Sequence, residues 1–490
     1  MSVNMNRDMS EPTKIEKKDE YDPEGLGLHP HPSQIGEVQD TKTPTYDAVF
    51  GEITEDGPNY RNVGFLGTVA LMMKTQIGLG VLSIPAAFDA LGLVPGVICL
   101  CAIAGITTWS DYVIGTFKLR HREVYGIDDA GQLMFGRFGK EVFGGVFCLY
   151  WIFVSGSGML GISIALNAVS THGTCTAIFL AIAFVIGFVL ASIRTLGRIT
   201  WIAWVGLACI LTSIFIVTIA VGIQDRPAAA PSPEEALVWV SDYKIVNNPS
   251  FTSAIKAVST LAFAFAGTPA FFAVVSEMRE PRYYTQAMLI CQGGVTAIYA
   301  TIGIVVYYYC GSYVASPVLG SAGVTVKKVS YGFALPGLIA TTTIVTHIPA
   351  KHIFLRLLRN THHLTANTLT HKLVWVASTF TVAIIAYIIA SAIPVFDGLI
   401  SLIGALLGTF MMFQPMGCMW LYDNWSRKTM EHGWARWRWA AMVCWSVFVV
   451  LAGFFLTIAG TYGSVVGIIE DYRRSGGSAA WSCADNSNSV

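Results

Sequence analysis

From Gly64 onward the chain alternates long apolar runs with polar connections, and eleven of the runs are long enough to cross a bilayer as helices. Their approximate bounds are 64–90, 94–117, 142–168, 176–193, 200–223, 252–276, 286–311, 329–350, 373–393, 396–421 and 438–462. The junctions at Gly92 and Pro394 are short enough that the spans they join must form close hairpins. Residues 1–62 have no apolar period and are rich in Asp, Glu, Lys and Pro. They predict a disordered tail, because too little apolar surface is available to offset the ordering entropy. No apolar core follows Met1 closely, so no signal peptide is expected and the first span doubles as the insertion signal. Between the second and third spans, YGIDDAGQLMFGRFGK is amphipathic and is expected at the interface. Residues 463–490 predict a short tail beyond the last span.

Two spans carry breaks near their middles. The first contains Gly78-Leu79-Gly80 and then Pro85; the sixth contains Gly267, Thr268 and Pro269 within STLAFAFAGTPAFFAVVSEM. A bilayer offers the backbone no hydrogen-bond partner, so unwound chain is tolerated only inside the protein or along a cavity. Single glycines in spanning helices ordinarily serve close packing, which accounts for Gly156, Gly158, Gly404 and Gly408. Gly-x-Gly with a following Pro, matched five spans later by Gly-Thr-Pro, calls for a different account. Interrupted first helices of two consecutive five-helix blocks are the mark of an inverted-repeat secondary transporter. The predicted class is therefore an all-α integral membrane protein of eleven transmembrane helices: repeats at about 63–223 and 252–422, within a transporter domain of 63–462, and an extra helix at 438–462. Exposed N–H groups at such a break suit a carboxylate, and freed carbonyls suit an ammonium group or a cation.

Composition and charge agree with this reading. Hydrophobic residues make up 53% of the chain and charged residues 13%, about half the share usual in soluble proteins. Net charge is zero, which suggests no nucleic-acid partner. Lys and Arg concentrate in the connections that follow even-numbered spans, among them Lys118, Arg120 and Arg122, then Arg194 and Arg198, then Lys351, Arg356 and Arg359. The alternate connections hold only Arg226, Lys244, Lys327 and Lys328, with Arg473 and Arg474 in the tail. The bias predicts a cytoplasmic N-terminus and, with an odd number of spans, an extracellular C-terminus. On this count the long loop from about Gln224 to Pro249 is external, and the sequon at Asn424 is cytoplasmic and not glycosylated. Seven of the ten cysteines fall inside apolar runs as packing residues; Cys175, Cys310 and Cys483 lie at or beyond span ends, where a bridge among them is open. No CxxC pair, metal site, nucleophile–base motif, phosphate loop or HExxH motif appears, so neither an enzyme nor a cofactor or metal is expected.

IGLGVLSIPAAF in the first span, FAFAGTPAFFAVVSEMREP in the sixth, YYYCGSYVASP closing the seventh, and IPVFDGLISLIGALLGTFMMFQP leading through the tenth resemble the amino acid/auxin permease family. That family sits within the amino acid–polyamine–organocation group, and the resemblance covers about Gly64 to Ala459. Within the family the chain is most similar to fungal neutral amino-acid permeases of the plasma membrane. The resemblance implies a LeuT-like carrier with alternating access that moves amino acids by coupling to an ion gradient. By position it places the substrate carboxylate and amine at Gly78, Leu79 and Gly80, facing Phe263, Ala264, Phe265, Ala266 and Gly267. Phe263 is the candidate aromatic cover for the bound side chain.

Many members of the family carry Asn four residues before the first glycine of the break, where this chain has Lys74. In related carriers that region and hydroxyls of the eighth span help to form a sodium site; here the eighth span offers Thr341, Thr342 and Thr343. Lys74 lies about 15 Å into its helix, near mid-bilayer. A charge there costs at least about 2.5–3.5 kcal/mol on insertion scales, so it is expected to face the bundle interior. Its ammonium group is expected to fill the volume of the sodium ion. Burial favours the neutral amine, which would let Lys74 carry a coupled proton. The coupling ion is thus expected to be H+ rather than Na+.

The remaining ionisable groups are read as interfacial or solvated: Asp111 toward the inner end of the second span, Lys256 near the outer end of the sixth, and Glu277 in a cluster with Arg279 and Arg282. His347 and His352 lie near the inner end of the eighth span, in a range where imidazoles can titrate. No acidic or second basic residue adjoins either break in the sequence, which favours uncharged substrates. The expected function is import of neutral aliphatic and aromatic amino acids by proton symport at the plasma membrane. The alternatives are an amino-acid-sensing receptor, or a vacuolar exporter of the same family. The tail lysines Lys14, Lys17 and Lys18 are candidate sites for ubiquitin or trafficking partners.

Overall fold

The computed structural model describes residues 45–47, 51–53, 63–194, 196–231, 239–359, 361–364, 368–426, 433–475 and 481–487. Ten helices among these residues are long and apolar enough to cross a membrane. They include the first span at Phe65–Leu91, the second at Leu93–Arg120, the third within Ile127–Ser170, the sixth at Phe251–Glu277, the seventh at Pro281–Tyr313 and the eighth at Val324–Leu358. A shorter apolar helix, Thr176–Ala191, takes the place of the fourth span, completing the expected eleven. Inner and outer denote the faces that the loop-charge bias predicts.

Packing sorts the spans into two groups. The first, second, sixth and seventh pack on one another, as do the third, fourth, eighth and ninth, while the fifth lies against both the first and the eighth. Each group pairs a span with the one five places later, as an internal repeat of five requires. In the most apolar 18-residue stretch of the sixth span 89% is buried, against 17% in the eleventh, so the eleventh helix sits at the edge of the bundle.

Local chemistry sets the connections. The hairpin at Gly92 has φ +91°, and a Cβ there would lie 2.5 Å from Asn247 N, so no other residue fits without strain. The long external loop crosses this hairpin, donating from Asn247 N to Leu91 O at 3.2 Å and accepting at Lys244 O from Leu93 N at 2.9 Å. Ser250 caps the sixth span by accepting from Ser253 N at 3.2 Å. The helix Ile127–Ser170 is interrupted at Gly136, inside the amphipathic stretch, so its first part is set off from the third span.

Three expectations need correction. Within the tail read as wholly disordered, Thr45–Asp47 pairs antiparallel with Gly51–Ile53, consistent with the β-branched and aromatic residues there. The rest of residues 1–62, including Lys14, Lys17 and Lys18, lies outside the described residues. The eleventh helix runs Trp434–Ser475, not 438–462, because Val465, Val466, Ile468 and Ile469 continue the apolar pattern. Residues 481–487 lie against the membrane domain: Cys483 bonds to Cys175, while Cys310 is buried and free. Asn486 Oδ1 accepts from Asn167 Nδ2 at 2.7 Å, and Ser487 O from Lys327 Nζ at 2.6 Å.

Candidate functional site: two broken helices and a buried lysine

Neither break is wound through. The first span is helical over Phe65–Gln76, bends through residues 77–79, forms a 3-10 turn at Gly80–Ser83 and resumes at Ile84–Leu91. The sixth is helical over Phe251–Ala264, turns at residues 265–267, passes through Thr268–Ala270 and resumes at Phe271–Glu277. Proline explains both restarts, because Pro85 and Pro269 stand in the first turn where no N–H is needed. The two breaks touch: a Cβ on Gly80 would lie 2.5 Å from Ala264 Cα, an approach that only glycine allows. Gly267 packs in turn on the Gln76 side chain. Among the described residues, the N–H groups of Gly78, Leu79 and Gly267 donate to no protein acceptor. These are unsatisfied donors of the kind an anion takes.

Some of the carbonyls freed by the breaks, Ile77 O, Ala264 O and Ala266 O, are already met. Lys74, fully buried, donates from Nζ to Ile77 O at 3.0 Å and to Thr341 Oγ1 at 2.6 Å. Thr341 passes the bond on to Gly337 O at 3.0 Å. No carboxylate pairs with Lys74 among the described residues. Lys74 thus bridges the first break to the eighth span, with its stem against Gly206 of the fifth. Of the three candidate threonines only Thr341 reaches it. Thr342 donates to Leu338 O and packs on Gly158, and Thr343 donates to Ile339 O. In the sixth span, Tyr299 Oη donates to Ala264 O at 2.9 Å, and Tyr150 Oη donates to Ala266 O. Phe265 lies edge-on to Tyr299 with ring centroids 5.2 Å apart. Phe263 is buried, its Cβ against Gly404 in a π-helical turn of the tenth span. Leu79 is buried with its side chain against Gly161.

Two ionisable groups read as interfacial or solvated, Glu277 and Asp111, are placed otherwise. Glu277 is 1% exposed and pairs with Lys351 at 2.5 Å, while Tyr125 Oη donates to it at 3.1 Å. The backbone of Val63 is laced to the same turn, donating to Glu277 O and accepting from Arg279 N. Tyr125 also lines a cavity of about 540 Å³ whose charged side chains include Asp129, Arg356 and Arg359. Lys256 bridges Asp397 at 3.0 Å and Asp471 at 3.3 Å, tying the outer ends of the sixth, tenth and eleventh helices together. Asp111 is fully buried. It faces Thr268, so an acidic residue does lie beside the sixth-span break, contrary to the expectation from sequence neighbours. Sequence signals for these positions were weak, since depth along a helix does not say which face is enclosed.

A family model described as transmembrane amino acid transporter protein matches residues 61–466. The chain is 33% identical over 453 residues to a transmembrane transporter of Gibberella moniliformis, covering 92% of this chain and 93% of that one. It is 30% identical over 438 residues to the N amino acid transport system protein of Neurospora crassa, covering 88% and 91%. Among solved structures it is similar to MhsT in complex with L-phenylalanine, with TM-score 0.54 and 12% identity over 80% of this chain and 98% of that one. It is also similar to Mhp1, a nucleobase-cation-symport-1 family transporter, with TM-score 0.51 and 14% identity over 89% and 99%. At these identities the structural likeness is one of fold: the LeuT-like architecture of paired five-helix repeats.

Proposed function

The chain belongs to the transmembrane amino acid transporter family, and from that premise we propose that it imports neutral aliphatic and aromatic amino acids by proton symport with alternating access. The observation that carries this reading is the pair of touching breaks, which present unpartnered amides at Gly78, Leu79 and Gly267 beside freed carbonyls. A free amino acid carries a carboxylate and an ammonium group on one carbon. Its carboxylate is matched to the amides of the first break, and its ammonium to the carbonyls of the facing turn. Phe263, Ala264, Phe265, Ala266 and Gly267 then form the wall against which an uncharged side chain rests.

Lys74 supplies the coupling argument. Its ammonium bridges a freed carbonyl and the Thr341 hydroxyl, ligands of the type a sodium ion would take. The Lys74 amine already occupies those ligands and leaves them no room for a second cation, which supports H+ rather than Na+ as the coupling ion. The plasma membrane, with a cytoplasmic N-terminus, is the location that fits net import and the loop-charge bias. The domain limits follow the same reading: a tail at 1–62, repeats at about 63–223 and 252–422, and an accessory eleventh helix.

The test is uptake of labelled leucine into proteoliposomes, driven by an imposed pH gradient with sodium absent, in competition with a panel of amino acids. Neutral amino acids should compete and lysine and glutamate should not, with accumulation approaching about tenfold per pH unit for one coupled proton. Uptake that needs sodium, or that charged amino acids block as well as phenylalanine does, would refute the reading.

A further inference from the structure

Behind the sixth-span break lies a group of buried polar atoms that do not satisfy one another. Gln292 Nε2 of the seventh span donates to Asp111 Oδ2 of the second. Asp111 Oδ1 and Gln292 Oε1 are both buried and both lack a hydrogen-bond partner. Thr268 Oγ1, in the break itself, faces the Asp111 carboxyl without completing hydrogen-bond geometry and is likewise unpartnered. Next along, the Gln76 amide beside Gly267 has neither its oxygen nor its nitrogen engaged. Tyr284 Oη donates to Asp111 backbone O at 3.0 Å, which fixes the second span against the seventh at this level.

The defect has a simple form. An acid and an amide can close a two-bond ring, the amide N–H donating to one acid oxygen and the acid O–H donating back to the amide oxygen. Here the first bond is made, and Asp111 Oδ1 and Gln292 Oε1 are left as two unpartnered acceptors on the same pair of side chains. Leaving both buried and unsatisfied is costly, and the ionised carboxylate adds the cost of a buried charge. No cation offsets it. The titratable groups facing Asp111 are Tyr284 and Cys291 of the seventh span, with Thr268 and Gln292 as neutral neighbours. No lysine, arginine or histidine pairs with it among the described residues. One proton on Oδ1 supplies a donor to a pair that has two acceptors left over, and removes the charge as well.

We propose that Asp111 is the proton-carrying site of this carrier, with Gln292 as the partner that holds its acid form and Thr268 as the contact that links its charge state to the substrate-binding turn. This rests on the proton-symport reading and deepens it, assigning the moving proton to Asp111 and leaving Lys74 as the fixed brace of the first break. Proton uptake forms one O–H bond on Asp111 Oδ1 and breaks none in the protein. The proton is taken from water on one side of the membrane and returned to water on the other. While it is bound, Oδ1 donates to Gln292 and the Thr268 hydroxyl is released toward the turn. When it leaves, the carboxylate draws Thr268 as its remaining donor, so the turn at Gly267 differs between the two charge states.

The test uses the full-length protein in proteoliposomes and the variant Asp111→Asn. The asparagine amide donates to Gln292 Oε1 and its carbonyl accepts from Gln292 Nε2, so the variant imitates the protonated acid and keeps the packing. Leucine exchange between the two sides should persist, because exchange needs no net proton movement. Accumulation under an imposed pH gradient should fall from about tenfold per pH unit to no more than equilibration. Thermal stabilisation of the purified variant by leucine should lose the pH dependence it has in the unaltered protein. Retained pH-driven accumulation in Asp111→Asn would overturn the assignment while leaving the transport reading intact. Loss of leucine stabilisation together with exchange would overturn it as well, since it would mark Asp111 as structural. Accumulation in the unaltered protein that follows a sodium gradient and disappears in Asp111→Asn would make the site a cation site and not a proton site. Absence of leucine exchange in the unaltered protein would remove the transport reading itself.

Discussion

In the first span the carbonyl freed by the break, Ile77 O, is taken by an ammonium group; in the sixth, Ala264 O and Ala266 O are taken by the hydroxyls of Tyr299 and Tyr150. The geometric problem is the same, because each helix gives up a turn of hydrogen bonding where no water is available. The solutions differ in charge and in what they tie together. Lys74 fastens the first break to the eighth span through Thr341. The tyrosines fasten the sixth break to the third and seventh spans with neutral bonds. Hydrogen bonds to charged groups contribute about 1.5–3 kcal/mol against about 0.5–1.5 for neutral ones. The first break is therefore the more firmly braced, and the sixth is the one that a neighbouring charge such as Asp111 can adjust.

The largest effect on this comparison should come from Gly80→Val, which drives side-chain atoms into the Ala264 backbone. Overpacking of at least about 1–3 kcal/mol is expected, with loss of leucine uptake and a lower thermal midpoint for the purified protein. Normal uptake by this variant would mean that the two breaks do not need to touch.

Next comes Lys74→Met, which leaves Ile77 O and Thr341 Oγ1 without a donor and should cost about 1–3 kcal/mol of stability. Adding Thr341→Val should recover part of that loss in a thermal melt, because one of the two orphaned polar groups is then removed. Normal pH-driven accumulation by Lys74→Met would refute any role for this lysine in coupling.

The smallest effect is expected from Tyr299→Phe, a loss of about 1 kcal/mol with uptake reduced but its pH profile unmoved. A shifted pH profile in Tyr299→Phe would contradict the division into a charged and a neutral break.

Much of this was legible in the residues, for reasons that can be named. Spans announce themselves by length and hydropathy, and the breaks by Gly-x-Gly and Gly-Thr-Pro, because few other residues unwind a helix at depth. A lysine in mid-span also declares itself, since such a charge must face inward. What stayed hidden were partners set by rotation and distance. Thr341, Thr342 and Thr343 are successive residues on a helix of 3.6 residues per turn, so they point about 100° apart, and only packing decides that Thr341 meets Lys74. Tyr150 lies 116 residues from the carbonyl it caps, and Lys351 lies 74 from Glu277; neither spacing has a pattern to read. Asp111 and Glu277 were misread as peripheral because both stand toward helix ends, yet neighbouring spans enclose them completely. The Cys175–Cys483 bond joins residues 308 apart in sequence, and no local signal chose that pairing among Cys175, Cys310 and Cys483.

The most direct test of the central claim is an experimental structure of the full-length protein with leucine bound. The account predicts the ligand carboxylate on the amides at Gly78 and Leu79 and its ammonium against the turn at 264–267, with Lys74 still bridging Ile77 and Thr341. Leucine found elsewhere, or both spans wound as continuous helices through these residues, would contradict it.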